Sequence, residues 1–251
     1  MRKNILVTGA SSGLGRQMAR EFAAKGANLA LCARRGARLE ELKAELEGEH
    51  PGIRVAVRTL DVTDAAAVFD VVRAFRDDLG RLDRVVVNAG LGKGQPLGTG
   101  RFDANLQTAH TNFVGALAQI EAAMEVFREQ GEGHLVVISS VSALRGMPRN
   151  LTTYAATKAG VASLAEGLRA ELMRTKDSRI VVSTIFPGYI RSEMNERLTK
   201  APAFMVDTET GTRAIVAAIE KEKATARVPA WPWVPLGAFL RVAPLRVVSR
   251  F

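Results

Sequence analysis

One cysteine, three histidines and an aromatic share of 6% are all that 251 residues offer of the types that staple, ligate or stack. A lone Cys32 excludes a disulfide framework and any four-cysteine zinc site, and it suits a reducing compartment. His50, His110 and His134 are scattered without ligand spacing, so no metal site is expected and all three read as structural or surface residues. No stretch reaches the ~18 uncharged apolar residues of a membrane-spanning helix. The first apolar run, residues 5–7, stops at Thr8-Gly9, well short of the roughly 7–15 residues of a secretory core. A cytoplasmic protein is expected. Acid is scarce as well: 26 Asp and Glu face 35 Lys and Arg, a net charge of +9. Such an excess suits a nucleic acid, a membrane surface or an anionic cofactor. Nucleic acid is disfavoured, because no helix-turn-helix, zinc or aromatic stacking motif accompanies the charge.

What is present is an ordinary globular apolar share, 47%, arranged as short Val/Ile/Leu-rich runs alternating with helical patterns. Strands are predicted at 4–8, 28–32, 55–60, 84–88, 134–139 and 180–186. Helices are predicted at 13–25, 37–49, 65–79, about 104–128 and from Thr152 to about Thr175. Repeated strand–helix alternation implies right-handed crossovers and a parallel sheet covered on both faces. The fold class is α/β: a single doubly wound, Rossmann-like domain over residues 1–230, followed by an apolar, basic tail at 231–251. Ligands of such sheets bind beyond the carboxyl ends of the strands, so residues at those ends carry the functional reading.

The first strand runs into Gly9-Ala10-Ser11-Ser12-Gly13-Leu14-Gly15 and then a helix. Glycines let the backbone approach a pyrophosphate, and the helix N-terminus supplies N–H groups and positive dipole. The G-x-x-x-G-x-G spacing is not the common G-x-G-x-x-G, and strand-to-helix packing alone also uses such turns. Strand two ends in Arg34-Arg35 with no acid between residues 28 and 38. An acid there would accept the 2′-hydroxyl of NAD, whereas arginine pairs with the 2′-phosphate of NADP. The alternative is a pair of solvated loop charges. Asp61-Val62 after strand three suits an adenine amino group or a helix cap. Asn88-Ala89-Gly90 after strand four suits close ribose approach or a plain turn.

Tyr154 and Lys158 stand at i, i+4 on one helix face. An ammonium about 4 Å from a phenol at an effective dielectric near 20 contributes roughly 4 kcal/mol, or about 3 pK units, which would bring the tyrosine toward neutrality. Strand five ends in Ser139-Ser140, and Asn112 sits inside a helical pattern where its type needs a reason. Strand six ends in Pro187-Gly188-Tyr189-Ile190-Arg191-Ser192, a rigid turn suited to a cofactor pocket.

Over residues 4 to 195 these ordered motifs resemble the short-chain dehydrogenase/reductase family. Thr8 through Gly15 match its glycine motif, Asn88 through Gly90 its Asn-Ala-Gly, Tyr154 and Lys158 its Tyr-x-x-x-Lys, and Pro187-Gly188 its Pro-Gly. Asn112 and Ser140 match its catalytic Asn and Ser. Ser192 stands where Thr is usual. The resemblance implies an NADP(H)-dependent oxidoreductase that interconverts a ketone and a secondary alcohol. In it Tyr154 supplies the proton, Ser140 polarises the oxygen, Lys158 lowers the Tyr154 pKa and binds the nicotinamide ribose, and Asn112 holds a relay water. The cofactor set it implies is Gly9, Ser11, Ser12, Gly13, Leu14, Gly15, Arg34, Arg35, Asp61, Val62, Asn88, Ala89, Gly90, Tyr154, Lys158, Pro187, Gly188, Ile190 and Ser192. A non-catalytic NADP(H)-binding sensor is the alternative, and the intact quartet argues against it.

The tail departs from the family's tetrameric members, whose chains end in a strand and a Val-Asp-Gly-Gly-like segment. Five of the nine prolines lie after residue 200, both tryptophans are here, and residues 227–251 carry four Arg and no acid. It resembles instead hydroxysteroid and long-chain ketone reductases, implying a lipophilic substrate (steroid-like or long-chain 3-ketoacyl) and a homodimer through the helices around 104–128 and 152–175. Interspersed aromatics, aliphatics and arginines suit a peripheral membrane contact, and they equally suit a tail packed over the substrate pocket or a dimer mate. The loop 91–100 and the stretch 193–206 are expected to shape the pocket.

Overall fold

The computed structural model describes residues 2–175, 178–194 and 202–248. Each predicted apolar run becomes a strand: β1 Asn4–Thr8, β2 Asn28–Ala33, β3 Val55–Thr59, β4 Arg84–Val87, β5 Glu132–Ile138 and β6 Arg179–Pro187, with a seventh, β7 Thr225–Val228. All pair in parallel in the order β3-β2-β1-β4-β5-β6-β7, so the order reverses between β1 and β4. Strands buried on both faces need apolar residues in both alternating sets. In β1, Ile5 and Val7 face one layer and Leu6 the other; in β2, Leu29 and Leu31 oppose Ala30 and Cys32.

The helices are α1 Gly13–Ala23, α2 Gly36–Glu49, α3 Ala65–Leu79, α4 Phe102–Ala109, α5 Gly115–Gln130, α6 Thr152–Leu172, α7 Thr208–Glu220, α8 Ala230–Val242 and α9 Leu245–Val248. Met18 and Phe22 of α1, the Leu39, Leu42 and Leu46 stripe of α2, and Ile215 and Ile219 of α7 fill one layer. Val68, Val72 and Phe75 of α3, Ala123 and Phe127 of α5, and Val161 and Leu172 of α6 fill the other. The predicted start of α3 holds: Asp64 accepts from the Ala67 N–H at 3.0 Å, and Gly80 closes the helix at φ 77°.

β7 stands where no strand is predicted. Its Thr-Ala-Arg-Val carries one buried residue, Val228, because it is an edge strand whose partner, β6, supplies the apolar surface. β5 begins two residues earlier than predicted. Among the described residues no helix is long and apolar enough to cross a membrane.

At the amino ends of the strands lies a buried polar cluster. Arg84 Nε donates to His134 Nδ1 at 2.9 Å, the opposite ring nitrogen meets Ser183 Oγ at 2.8 Å, and Arg84 also pairs with Glu220. His134 is therefore structural, both of its ring nitrogens being taken by bonds within the cluster.

Candidate active site

The site is built at the carboxyl ends of β1, β2, β4, β5 and β6. Thr8 opens it. Its hydroxyl accepts from the Asn88 and Ala89 N–H groups, both at 3.0 Å, while Asn88 Nδ2 donates to the Thr8 carbonyl at 2.8 Å. These bonds staple the glycine turn to the end of β4. A Cβ on Gly15 would stand 2.3 Å from the Gly9 oxygen and 2.8 Å from Asn88 Nδ2, a contact only glycine avoids. Gly13, at φ 52°, has no neighbour nearer its Cβ position than Ser192 Cβ at 3.4 Å. α1 starts at Gly13 with no acid in its first turn, so its dipole faces the turn unopposed.

At the end of β2, Arg35 donates from Nε to Ser11 Oγ at 3.2 Å and from Nη2 to Ser12 Oγ at 2.5 Å. The glycine turn and the predicted 2′-phosphate arginine are thus one assembly. Arg38, absent from the sequence reading, joins it through Glu193, which also pairs with Arg35. Arg34 is exposed and its charge lies toward Asp61. Asp61, exposed, accepts through Oδ1 from the Thr63 N–H at 3.0 Å and its hydroxyl at 2.8 Å; those bonds, with Arg34, hold its carboxyl below the usual range. Val62 is buried under α5, where Gly115 lets the helix pass over its carbonyl.

Gly90 is where the polar groups meet. A Cβ there would lie 3.2 Å from Asn112 Oδ1 and 3.4 Å from Lys158 Nζ. Asn112 comes from a π-helical turn, His110–Val114, inserted between α4 and α5; such a turn re-aims side chains within a helix. Its Oδ1 accepts from the Leu91 N–H and its Nδ2 donates to the Leu91 carbonyl, each at 2.8 Å. The amide predicted to hold a water therefore pins the start of the 91–100 loop, with one Oδ1 lone pair remaining.

The serine pair divides. Ser139 Oγ donates to the Lys158 carbonyl at 2.8 Å and is buried structure. Ser140 caps the 3₁₀ turn Val141–Leu144, and its hydroxyl bonds toward Tyr154. Lys158, 6% exposed, donates to the Ile138 carbonyl at 2.8 Å and lies 6.0 Å from the Tyr154 ring centroid. Burial lowers its pKa to about 8. Tyr154 departs from expectation. Burial pushes its phenol up to about 12, the Ser140 bond lowering it and the Tyr189 phenol raising it. The predicted fall toward neutrality does not occur, because Lys158 is spent on Ile138 and buried itself, while desolvation of a phenolate outweighs a charge at that range.

Tyr189, from the turn predicted to line a pocket, Phe204, from the predicted stretch 193–206, and Trp233, from the tail, make an aromatic wall beside Tyr154. The Tyr189 and Trp233 rings stand edge to face at 5.5 Å, and Phe204 meets Trp233 at 6.4 Å. Trp233, from α8, is 3% exposed and lies against Gly188, where a Cβ would collide with its ring nitrogen. Met194 reaches Gly92 across the pocket, tying the two predicted pocket segments together. Residues 195–201 of the second lie outside the described residues. Among the described residues no group of His, Cys, Asp and Glu could hold a metal.

A nicotinamide dinucleotide fits these residues: a glycine cradle that a single Cβ would fill, a helix N-terminus, and arginines at its rim. The short chain dehydrogenase family model matches residues 3–203. The chain belongs to the short-chain dehydrogenase/reductase family. An uncharacterized oxidoreductase of Mycobacterium tuberculosis is 52% identical over 250 residues, covering 100% of this chain and 97% of that protein. The dehydrogenase/reductase SDR family member 7B of Mus musculus is 34% identical over 197 residues, 76% of this chain and 58% of that one. Among solved structures, a short-chain dehydrogenase from Sphingobium yanoikuyae in complex with NADPH superposes with a TM-score of 0.82 at 27% identity, covering 94% of this chain and 92% of that one. One from Burkholderia phymatum in complex with NAD reaches 0.85 at 20% identity, over 99% and 95%, a likeness of fold. The chain is accordingly an oxidoreductase acting between CH–OH and C=O with a nicotinamide cofactor and a small-molecule substrate.

Proposed function

We infer that this short-chain dehydrogenase/reductase reduces a lipophilic ketone to a secondary alcohol, or the reverse, with NADP(H). The observation that carries this is the meeting of Asn112, Ser140, Tyr154 and Lys158 around Gly90 and Ile138, with Arg35 bonded into the glycine turn. Gly9, Ser11, Ser12, Gly13, Leu14 and Gly15 would hold the pyrophosphate. Arg34, Arg35 and Arg38 would meet the 2′-phosphate, Asp61 and Val62 the adenine, and Asn88, Ala89 and Gly90 the ribose. Pro187, Gly188, Ile190 and Ser192 would hold the nicotinamide. The bound cofactor supplies hydride chemistry. Ser140 Oγ polarises the substrate oxygen, and Tyr154, protonated throughout the neutral range at a pKa of about 12, delivers the proton to it. The Lys158 charge stabilises the phenolate left behind. Asn112 fixes the loop over the site.

The wall of Tyr189, Phe204 and Trp233 supports an apolar, ring-bearing or long-chain substrate. Within the tail, α8 closes this pocket with one face and rests on a membrane surface with the other. A homodimer forms through α5 and α6, whose outer face on α6 carries the exposed small residues Ala156, Ser163 and Gly167. Screening NADPH oxidation against steroid, 3-ketoacyl and aromatic ketones tests the reading. Tyr154→Phe lowers turnover by about 10²–10⁴-fold while NADPH binding, followed by fluorescence, changes less than about twofold. Residual turnover near wild type would refute the catalytic assignment in favour of a sensor.

A further inference from the structure

Two arginines at the rim of the cofactor site already hold an anion, and it belongs to the chain. Glu193 Oε1 pairs with Arg38 Nη1 at 2.7 Å, and Oε2 with Arg35 Nη1 at 3.0 Å, one carboxylate oxygen to each guanidinium. Arg35 is held from its other edge by Ser11 and Ser12, so its orientation is set by the glycine turn and not by the carboxylate alone. Glu193 arrives from 155 and 158 residues away in sequence, on the segment after β6 whose Ser192 lies against Gly13. The three side chains are each 43–44% exposed, a setting in which an ion pair is weak enough to be displaced by a more highly charged group. Arg34, the third cation of the rim, faces Asp61.

We propose that Glu193 is a specificity-determining residue: an internal counter-ion that occupies Arg35 and Arg38 in the manner of a phosphate and competes with the cofactor's 2′-phosphate for them. The proposal rests on the NADP(H) reading above. It follows that Glu193 narrows the preference for a 2′-phosphorylated cofactor, since a ligand with a free 2′-hydroxyl leaves the carboxylate in place and a phosphorylated one must displace it. The phosphate is a dianion over much of the neutral range and outcompetes a monoanion for a paired guanidinium site. Displacing Glu193 also shifts the neighbouring Ser192, which links recognition at the rim to the wall of the nicotinamide pocket.

The test is calorimetric, on the full chain, with adenosine 2′,5′-bisphosphate and 5′-AMP as probes. Wild type binds the bisphosphate more tightly than AMP. Glu193→Gln tightens the bisphosphate by about fivefold, as loss of an exposed competing ion pair would, and leaves AMP within about twofold. Glu193→Asp, which keeps the charge, stays near wild type for both. Unchanged or weaker bisphosphate binding in Glu193→Gln, with wild type still preferring the bisphosphate, overturns the counter-ion role and spares the NADP(H) reading. Equal binding of both probes by wild type and by Glu193→Gln alike overturns both.

Discussion

Lys158 and His134 are both buried cations in waiting, and their surroundings set opposite uses. Lys158 keeps an ammonium beside Gly90 at a pKa near 8, lowered by burial alone. Its charge is present below that value and lost above it, so kcat/KM of the free enzyme falls above about pH 8 in a steady-state profile. Lys158→Arg, charged throughout, is slower and lacks this limb. His134 is held neutral to about 3 by burial first, then by Arg84 and Arg2; Glu222, 3.7 Å away, does not compensate. An unfolded imidazole titrates near 6.5, so between pH 6.5 and about 3 the unfolded chain binds the extra proton and stability falls as pH falls. From pH 7 to 5 this amounts to about 2 kcal/mol, read as a falling urea midpoint. His134→Gln, which can still accept from Arg84 and donate to Ser183, loses less over that interval. The quartet Asn112, Ser140, Tyr154 and Lys158 was legible from residue type and order. The Tyr154 pKa was not, because desolvation depends on what the fold places around a side chain, and spacing along a helix carries no record of it.

Elements show the same division. The interior strands β1, β2, β4, β5 and β6 were legible because their central residues are buried on both faces and apolar, and the edge strand β3 because Val55, Ala56 and Val57 keep an apolar run. β7 was not, since an edge strand borrows its apolar contacts from β6 and leaves Thr225 exposed. The π turn that aims Asn112 has no periodicity of its own within so short a span. The glycine turn was readable as a motif, and the structure adds the reason each glycine is needed. Gly9, at φ 67°, needs its freedom, and Gly15 has no room for a methyl group because Gly9 O and Asn88 Nδ2 already fill the place. Gly15→Ala must push α1 away from β1, undoing the Thr8–Asn88 staple. The expected cost is about 2–4 kcal/mol in a denaturant titration, with NADPH affinity falling further than stability alone explains.

For the whole molecule the question is where its +9 charge and its surplus apolar surface lie. Residues 134–192 hold eight Lys and Arg against three acids, and residues 227–251 hold four Arg and none; elsewhere the signs balance. The proposal gives the two readings of the tail to the two faces of α8. Trp233, Gly237 and Leu240 turn inward. Trp231, Val234, Phe239 and Val242 turn outward, and Leu245 continues the exposed stripe past Pro244; Trp231 is 77% exposed and Val242 82%. Arg241 and Arg246 stand among them. An isologous contact through this stripe would set each arginine near its own copy, with no acid in the segment to offset it, whereas an anionic bilayer receives both the cations and the apolar side chains. A homodimer through α5 and α6 leaves the stripe free, and light scattering should return a dimer; a clean tetramer would count against that arrangement. Vesicles containing phosphatidylglycerol should therefore retain the protein in a flotation assay, and zwitterionic vesicles should retain much less. Val242→Asp with Leu245→Asp should abolish retention without changing turnover on a water-soluble ketone, because neither side chain touches the pocket wall formed by Trp233. Retention by both vesicle types, or none by either, would leave the stripe without its proposed partner and refute the membrane reading.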